Sequence, residues 1–232
     1  MEKVREDTYL GSIISDTCNN DKKLEKAKSK GIGISSVIMA MLQEMSFGEH
    51  YYEIAATLRE SLFINGILWN LETWYDMKKK DIEELEKIDK MLIKRILNAP
   101  SSTPSALLYL EMGMIPLKFI IQARRLMFLR YILTQEDDAL ILRFFNAQKR
   151  EPCKNDWVTT VIQDLEKLDL DYSFDEIKSL SKPIWLKIVK EACKEKAFED
   201  LLEKASTYSK GNQLNYGELK MRSYFTTKSI NR

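Results

Sequence analysis

Two adjacent acids, Asp137 and Asp138 in TQEDDALIL, could do chemistry, because paired carboxylates can hold two metal ions for phosphoryl transfer. That mechanism also needs a third carboxylate and a hairpin beneath the pair. Acids just before ALIL are instead what the first turn of a helix prefers, so a helix over about 137–148 is expected to open on them. Imidazole and thiolate chemistry is equally thin. His50 is the sole histidine, and Cys18, Cys153 and Cys193 are far apart with no CxxC, so no zinc ligand set converges. His50, in FGEHYYE, falls between two predicted helices, where an exposed or capping histidine outranks a general base. KGIGISS (30–36) lacks the GK[ST] ending that reaches nucleotide phosphates and reads as a softened helix.

Positive charge is what remains. It clusters at Lys22, Lys23, Lys26, Lys28 and Lys30, at Lys94 and Arg95, and at Arg124, Arg125 and Arg130. On a helix, Lys22, Lys26 and Lys30 share one face and Lys23 borders it. Arg124 and Arg130 stand about 120° apart on one helix, so the third cluster is not a single patch. Trp69, Trp74, Tyr75, Phe119 and Phe128 lie in apolar runs, where burial in a core outranks service as stacking platforms. Glu72 interrupts one such run between Leu71 and Thr73; if buried it needs a partner, and Arg59 or Arg95 is the expected one.

Helices must position these residues. Periodicity predicts them over 21–45, 51–69 and 79–98, the last with the stripe Ile82, Leu85, Ile88, Leu92 and Ile96. Asp81 is expected at its start, with Lys94 and Arg95 near its end. In APSSTPSALLYLEMGMIPLKF, Thr103 reads as an N-cap with Pro104 at the first helical position, Gly113 as the stop and Pro116 as the next start. Helices over 117–133, 137–148, 155–169 and 183–206 follow, the last capped by Ser181 with Pro183 early in it. Residues 3–15 fit a short hairpin with a bend at Gly11. The expected fold class is mainly α: a helical, thumb-like bundle, a short N-terminal β-hairpin and a smaller C-terminal helical region, with Glu151-Pro152 between the helical parts.

Lys and Arg number 36 against 35 acids, which gives no global attraction for nucleic acid. The odd, scattered cysteines favour a reducing compartment over a disulfide framework. MEKVREDTYL is charged throughout, unlike a secretory leader. The longest apolar run, SLFINGILWNL, is far shorter than the roughly 20 residues that span a bilayer. An intracellular location, nuclear or cytoplasmic, and no membrane association are expected.

Several motifs, in order, resemble the end of the reverse transcriptase of non-LTR (LINE-like) retrotransposons. YLGSIIS (9–15) resembles the hairpin that closes the palm and grips the primer. LRESLFINGILWNLETWY (58–75) resembles the thumb segment, with its Asn-Gly and Glu-x-Trp elements, Glu72 and Trp74 among them. DIEELEKIDKMLIKRIL (81–97) resembles the helix that follows. STPSALLYLEMGMIPLKFIIQARRLMFLRYIL (102–133) is similar to the family's most distinctive downstream stretch, through Thr103, Pro104, Gly113, Pro116 and an Arg-Arg helix. LNYGELKMRSYF (214–225) resembles the region beyond the thumb.

The resemblance implies a primer-grip-like hairpin over 1–20, a thumb-like helical domain over 21–150 and a C-terminal helical region over 151–232. It implies that the family's catalytic YxDD and its magnesium ligands lie before Met1, so this chain is expected to be no enzyme alone and to need no cofactor. The implied partner is a template–primer duplex, RNA or DNA, held weakly. Lys22, Lys23, Lys26 and Lys30 would meet its phosphates, since such contacts position without reading sequence. The alternative is a helical scaffold or protein-interaction module left after loss of the palm.

Overall fold

The computed structural model describes residues 6–9, 12–15, 20–45, 48, 50–74, 77–153 and 156–208. Two short strands, β1 (Glu6–Tyr9) and β2 (Ser12–Ser15), pair antiparallel with Glu6 opposite Ser15 and Tyr9 opposite Ser12. Among the described residues every regular element after them is helical. Gly11, Cys18, Tyr75 and the 214–225 motif lie outside the described residues.

α1 (Asp21–Gln43) leads into α2 (Tyr51–Leu58), which widens into a π-helical stretch over Arg59–Ile64 and closes with α3 (Asn65–Ile67). The single helix expected over 51–69 is therefore broken by a π segment. That widening brings Arg59, Phe63 and Ile64 to the inside together. A 3-10 turn, Leu71–Thr73, follows. α1 and α3 touch closely: a Cβ on Gly66 would sit 2.3 Å from Ile34 Cδ1, and one on Gly31 3.0 Å from Ile67 Cγ2. Gly31 thus lets the helices approach rather than softening α1, which runs unbroken through it.

α4 (Lys79–Ile96) buries Leu85, Ile88, Leu92, Ile93 and Ile96. The Asp81 carboxylate accepts from the Lys78 N–H at 3.1 Å, satisfying one orphan donor of its first turn. α5 (Ser105–Met112) and α6 (Leu117–Leu133) meet at a 62° bend. Gly113, at φ 61°, closes α5: the Met114 N–H reaches the Tyr109 carbonyl at 2.9 Å and the Gly113 N–H the Leu110 carbonyl at 3.2 Å. Pro116 flanks Leu117 as the N-cap of α6. Thr103 is not the cap of α5. Pro104 is, at φ −59° and ψ 130°, because its extended ψ keeps it out of the helix and its ring disfavours a helical Thr103. The Thr103 N–H turns back to the Pro100 carbonyl instead.

α7 (Leu140–Arg150) starts later than expected, so Asp137 and Asp138 lie in an exposed turn before it, not in its first turn. α8 (Trp157–Lys167) is capped by the Asp156 side chain, which accepts from the Thr159 N–H at 2.6 Å. The sequence patterns did not disclose α9 (Phe174–Ser179), whose Ser173 and Glu176 form a capping box. α10 (Lys182–Ser206) begins after Ser181, with Pro183 in its first turn; the Ser181 side chain makes no capping bond.

Two apolar cores result. The first gathers α1–α5, Leu117 and Ile121 of α6, and Leu201 and Ala205 of α10. The second gathers the rest of α6 from Phe119 onward with α7, α8, α9 and the earlier part of α10. Packing therefore changes over within α6, and α6 and α10 run through both cores. Trp185 of α10 is fully buried and donates its indole N–H to the Leu126 carbonyl at 3.0 Å.

Each core encloses an arginine–aspartate fork. In the first, Arg59 donates Nε to Asp89 Oδ1 at 2.7 Å and Nη2 to Oδ2 at 2.6 Å, and the Tyr109 hydroxyl donates to Oδ2 at 2.7 Å. Arg59 Nη2 also reaches the Ile115 carbonyl at 3.2 Å. In the second, Arg125 donates Nε to Asp164 Oδ2 at 2.6 Å and Nη2 to Oδ1 at 3.0 Å, with Gln122 Nε2 on Oδ1 at 3.1 Å. Burial pulls the Arg59 guanidinium down, but Asp89 outweighs it and the net direction is up.

Candidate nucleic-acid interface

α1 places Lys22, Lys26 and Lys30 on exposed surface, with Lys23 partly covered at their border. The Lys23 ammonium stands 5.8 Å from the centroid of the buried Trp74 ring, within cation–π range. Lys28 leaves this group: it turns to α4 and pairs with Glu84 at 3.1 Å. Charge repeating every fourth residue on one side of a helix can track a phosphate backbone without reading bases.

Beside this face runs the chain from Gly66 to Trp74. α6 braces it from the other side, where Arg124 donates to the Leu68 carbonyl at 3.0 Å and to Asn65 Oδ1 at 2.6 Å. Trp157 of α8 donates its indole N–H to the Glu72 carbonyl at 2.8 Å. Glu72 finds neither expected partner, since Arg59 is committed to Asp89 and Arg95 is exposed. Its Oε2 is sealed from solvent without a hydrogen bond. Burial pulls the Arg124 guanidinium below its ordinary value, and the Glu72 charge partly offsets that. Trp74 and Phe119 are core and Phe128 is half-buried, but Trp69 is 61% exposed, contrary to a core position. The run containing it reads as one helix, yet α3 ends at Ile67, and Asn70, at φ 58°, turns the chain into the 3-10 turn.

The arginines of α6 serve the interior. Arg125 is in its fork, Arg124 braces the turn, and Arg130 donates to the Leu180 carbonyl at 2.9 and 2.7 Å. Lys94 donates to the Ser101 carbonyl, and Arg95 lies exposed near the end of α4. Thr103 and Pro104 shape the entry to α5, and Gly113 and Pro116 the α5–α6 corner. His50 is exposed and paired with Glu53 at 3.0 Å. Lys190, on α10, is lowered to about 8, by burial first and Lys194 second.

Sequence reasoning missed the two buried forks. Their signal was present: Asp89 falls among the stripe residues of α4 next to Ile88, and Asp164 adjoins the apolar positions of α8. A carboxylate inside an apolar stripe demands a buried partner. An open cleft of about 740 Å³ lies between α7, α8 and the loop before α9. Glu166, Asp169, Asp171 and Asp175 line it against the single cation Lys149, so it repels phosphate. Among the described residues no three His, Cys, Asp or Glu side chains converge as metal ligands, and no single helix is long and apolar enough to cross a membrane. Set against protein-family models, curated proteins and solved structures, the chain matches none.

Proposed function

We propose that this chain is the thumb region of a non-LTR (LINE-like) reverse transcriptase, which holds a template–primer duplex through phosphate contacts and carries no polymerase centre itself. In this view residues 1–20 end the palm and grip the primer, 21–150 form the thumb, and 151–232 follow it, within a reducing intracellular compartment. The observation that carries it is the exposed α1 face, Lys22, Lys26 and Lys30, directly after the paired strands in a chain whose motifs resemble the family in order.

With 36 basic against 35 acidic residues, affinity must be local and weak. Three to four phosphate contacts give a slope of log K against log salt of about −3 on a duplex. Replacing Lys22, Lys26 and Lys30 together by Gln should flatten that slope by about two to three. A titration of a labelled RNA–DNA duplex at several salt concentrations measures both. A wild-type slope in the triple variant would reduce this face to a solvated one.

A helical scaffold is the competing function, favoured by the internal engagement of Arg124, Arg125 and Arg130. Absence of duplex binding at low salt, with capture of one discrete protein partner, would move it ahead.

A further inference from the structure

We propose that Trp69 is a stacking platform for an unpaired nucleobase, set beside the α1 lysines that hold phosphates of the same strand. It rests on the nucleic-acid function proposed above and adds a requirement that function does not contain: a base with a free face. The other three indoles are in the interior, at 6% exposure for Trp74, 8% for Trp157 and 0% for Trp185. Trp69 is 61% exposed. Leaving the largest apolar side chain in water forgoes much burial energy, so an exposed indole on a rigid support is the informative exception.

The support is rigid. Leu68 and Leu71, on either side of Trp69, are fully buried or nearly so. Arg124 holds the Leu68 carbonyl, the Leu71 N–H returns to the same carbonyl at 3.3 Å, and the Thr73 hydroxyl donates to the Asn70 carbonyl at 2.8 Å. Trp157 holds the Glu72 carbonyl. The αL conformation of Asn70 sets the turn between two anchors, so drawing the indole into the core would unseat a leucine on each side. Such preorganisation lowers the entropic cost of binding.

Position supplies the second half. A Cβ on Gly66 would lie 3.7 Å from Lys30 Cε, and Trp74 lies under Lys23. The chain from 66 to 74 therefore runs back along α1 from Lys30 to Lys23, roughly 10 Å at 1.5 Å per residue. That is about three stacked nucleotides at 3.4 Å each. Trp69 lies between these two points. A strand whose phosphates follow the lysines has its bases within that same span, and an indole accepts any base because every base has a π-face. Within a duplex both faces of each base are already covered. The ligand is thus a single strand or the frayed or recessed end of a duplex. An acidic peptide would satisfy the lysines but needs no flat ring.

The test uses the whole chain and a short labelled thymidine oligonucleotide, with an abasic oligonucleotide of the same length and charge. Wild type should bind the thymidine strand at least about fivefold more tightly than the abasic one, the scale of one stacked base. Trp69→Ala should abolish that ratio and leave the salt slope unchanged, while Trp69→Phe should keep most of it. The wild-type comparison needs no variant, so a misfolded Trp69→Ala cannot rescue or sink the proposal. Equal binding of the two strands by wild type overturns it. If duplex binding still shows the lysine-dependent slope, the thumb function survives that failure. Base-dependent, Trp69-dependent binding of the oligonucleotide with no duplex binding would have the opposite outcome. Binding of neither nucleic acid overturns both.

Discussion

The two cores use the same chemistry for different geometric tasks. Each buries one aspartate under an arginine fork plus a third donor, and each pair is shielded from solvent. Around Asp89, however, the donors come from the π stretch and from α5, and Arg59 reaches on to the Ile115 carbonyl within the α5–α6 bend. Around Asp164 both donors come from α6, three residues apart on one face. The first fork therefore ties together four segments that have no local reason to meet. The second fixes how α8 lies on α6, a contact that apolar packing also makes. A buried ion pair gives little net stability against an apolar substitute, but breaking one half of it is costly.

That contrast can be broken most directly at the arginines. Arg59→Leu should cost about 3–5 kcal/mol, because it strands a buried carboxylate and orphans the Ile115 carbonyl. Arg125→Leu should cost about 1 kcal/mol less, since no further carbonyl depends on it. The paired changes sharpen the point. Arg125→Leu with Asp164→Leu should recover more of the loss, since it leaves only Gln122 without its partner, and Arg59→Leu with Asp89→Leu less, since Tyr109 and Ile115 are both left unpaired. Urea unfolding measures all four; equal recovery in the two pairs would show that the forks are equivalent.

A smaller effect separates the cores at alkaline pH. Tyr109 is raised well above its ordinary value by burial first and the Asp89 charge second. Tyr109→Phe should cost about 1 kcal/mol at neutral pH, the worth of one hydrogen bond. A folded-state pKa above the unfolded one gives stability that is complete below the unfolded value and lost as pH rises through the folded one. For Tyr109 the loss starts above about 10. Cys193, in the second core, is pushed up to about 12 by burial first and Asp164 second, from an ordinary 9.0. Its loss therefore starts lower, above pH 9.0, and runs toward about 12. Cys193→Ala should flatten the onset of alkaline destabilisation and Tyr109→Phe its later part. If neither variant changes the profile, neither group titrates on unfolding.

The smallest effect is chemical. In a Cys18→Ser background, a thiol reagent at neutral pH should modify exposed Cys153 promptly and buried Cys193 only on unfolding. Rapid reaction at both would mean that the second core opens far more readily than its packing implies.

Legibility followed locality. The α6 limits, Leu117 and Leu133, could be read because Pro116 marks one end, and α4 because its stripe is continuous. Gly113 was legible for the same reason: αL at a helix end is a local demand. The π stretch was not, since the partner that Arg59 meets there, Asp89, lies in another helix. Trp69 was misjudged because an apolar run carries no sign of where the chain turns, here from Leu68 through Asn70. Glu72 was matched to Arg59 or Arg95 and pairs with neither, because Asp89 takes Arg59 and only the fold ranks the two carboxylates. The lysine face of α1 was legible as spacing, whereas its neighbour, the Trp69 turn, required the contact of α1 with α3.

α10 has a consequence for the order of events during synthesis. Its 25 residues extend roughly 37 Å, enough to pass both cores. Leu201 and Ala205, which complete the first core, are made long after the helices they cover. On the ribosome, α1–α5 must wait with an open apolar side while some ninety further residues emerge, counting from Met112 to Leu201. The part made first is thus sealed last, and a nascent chain stopped before α10 offers that open side to chaperones or to other chains.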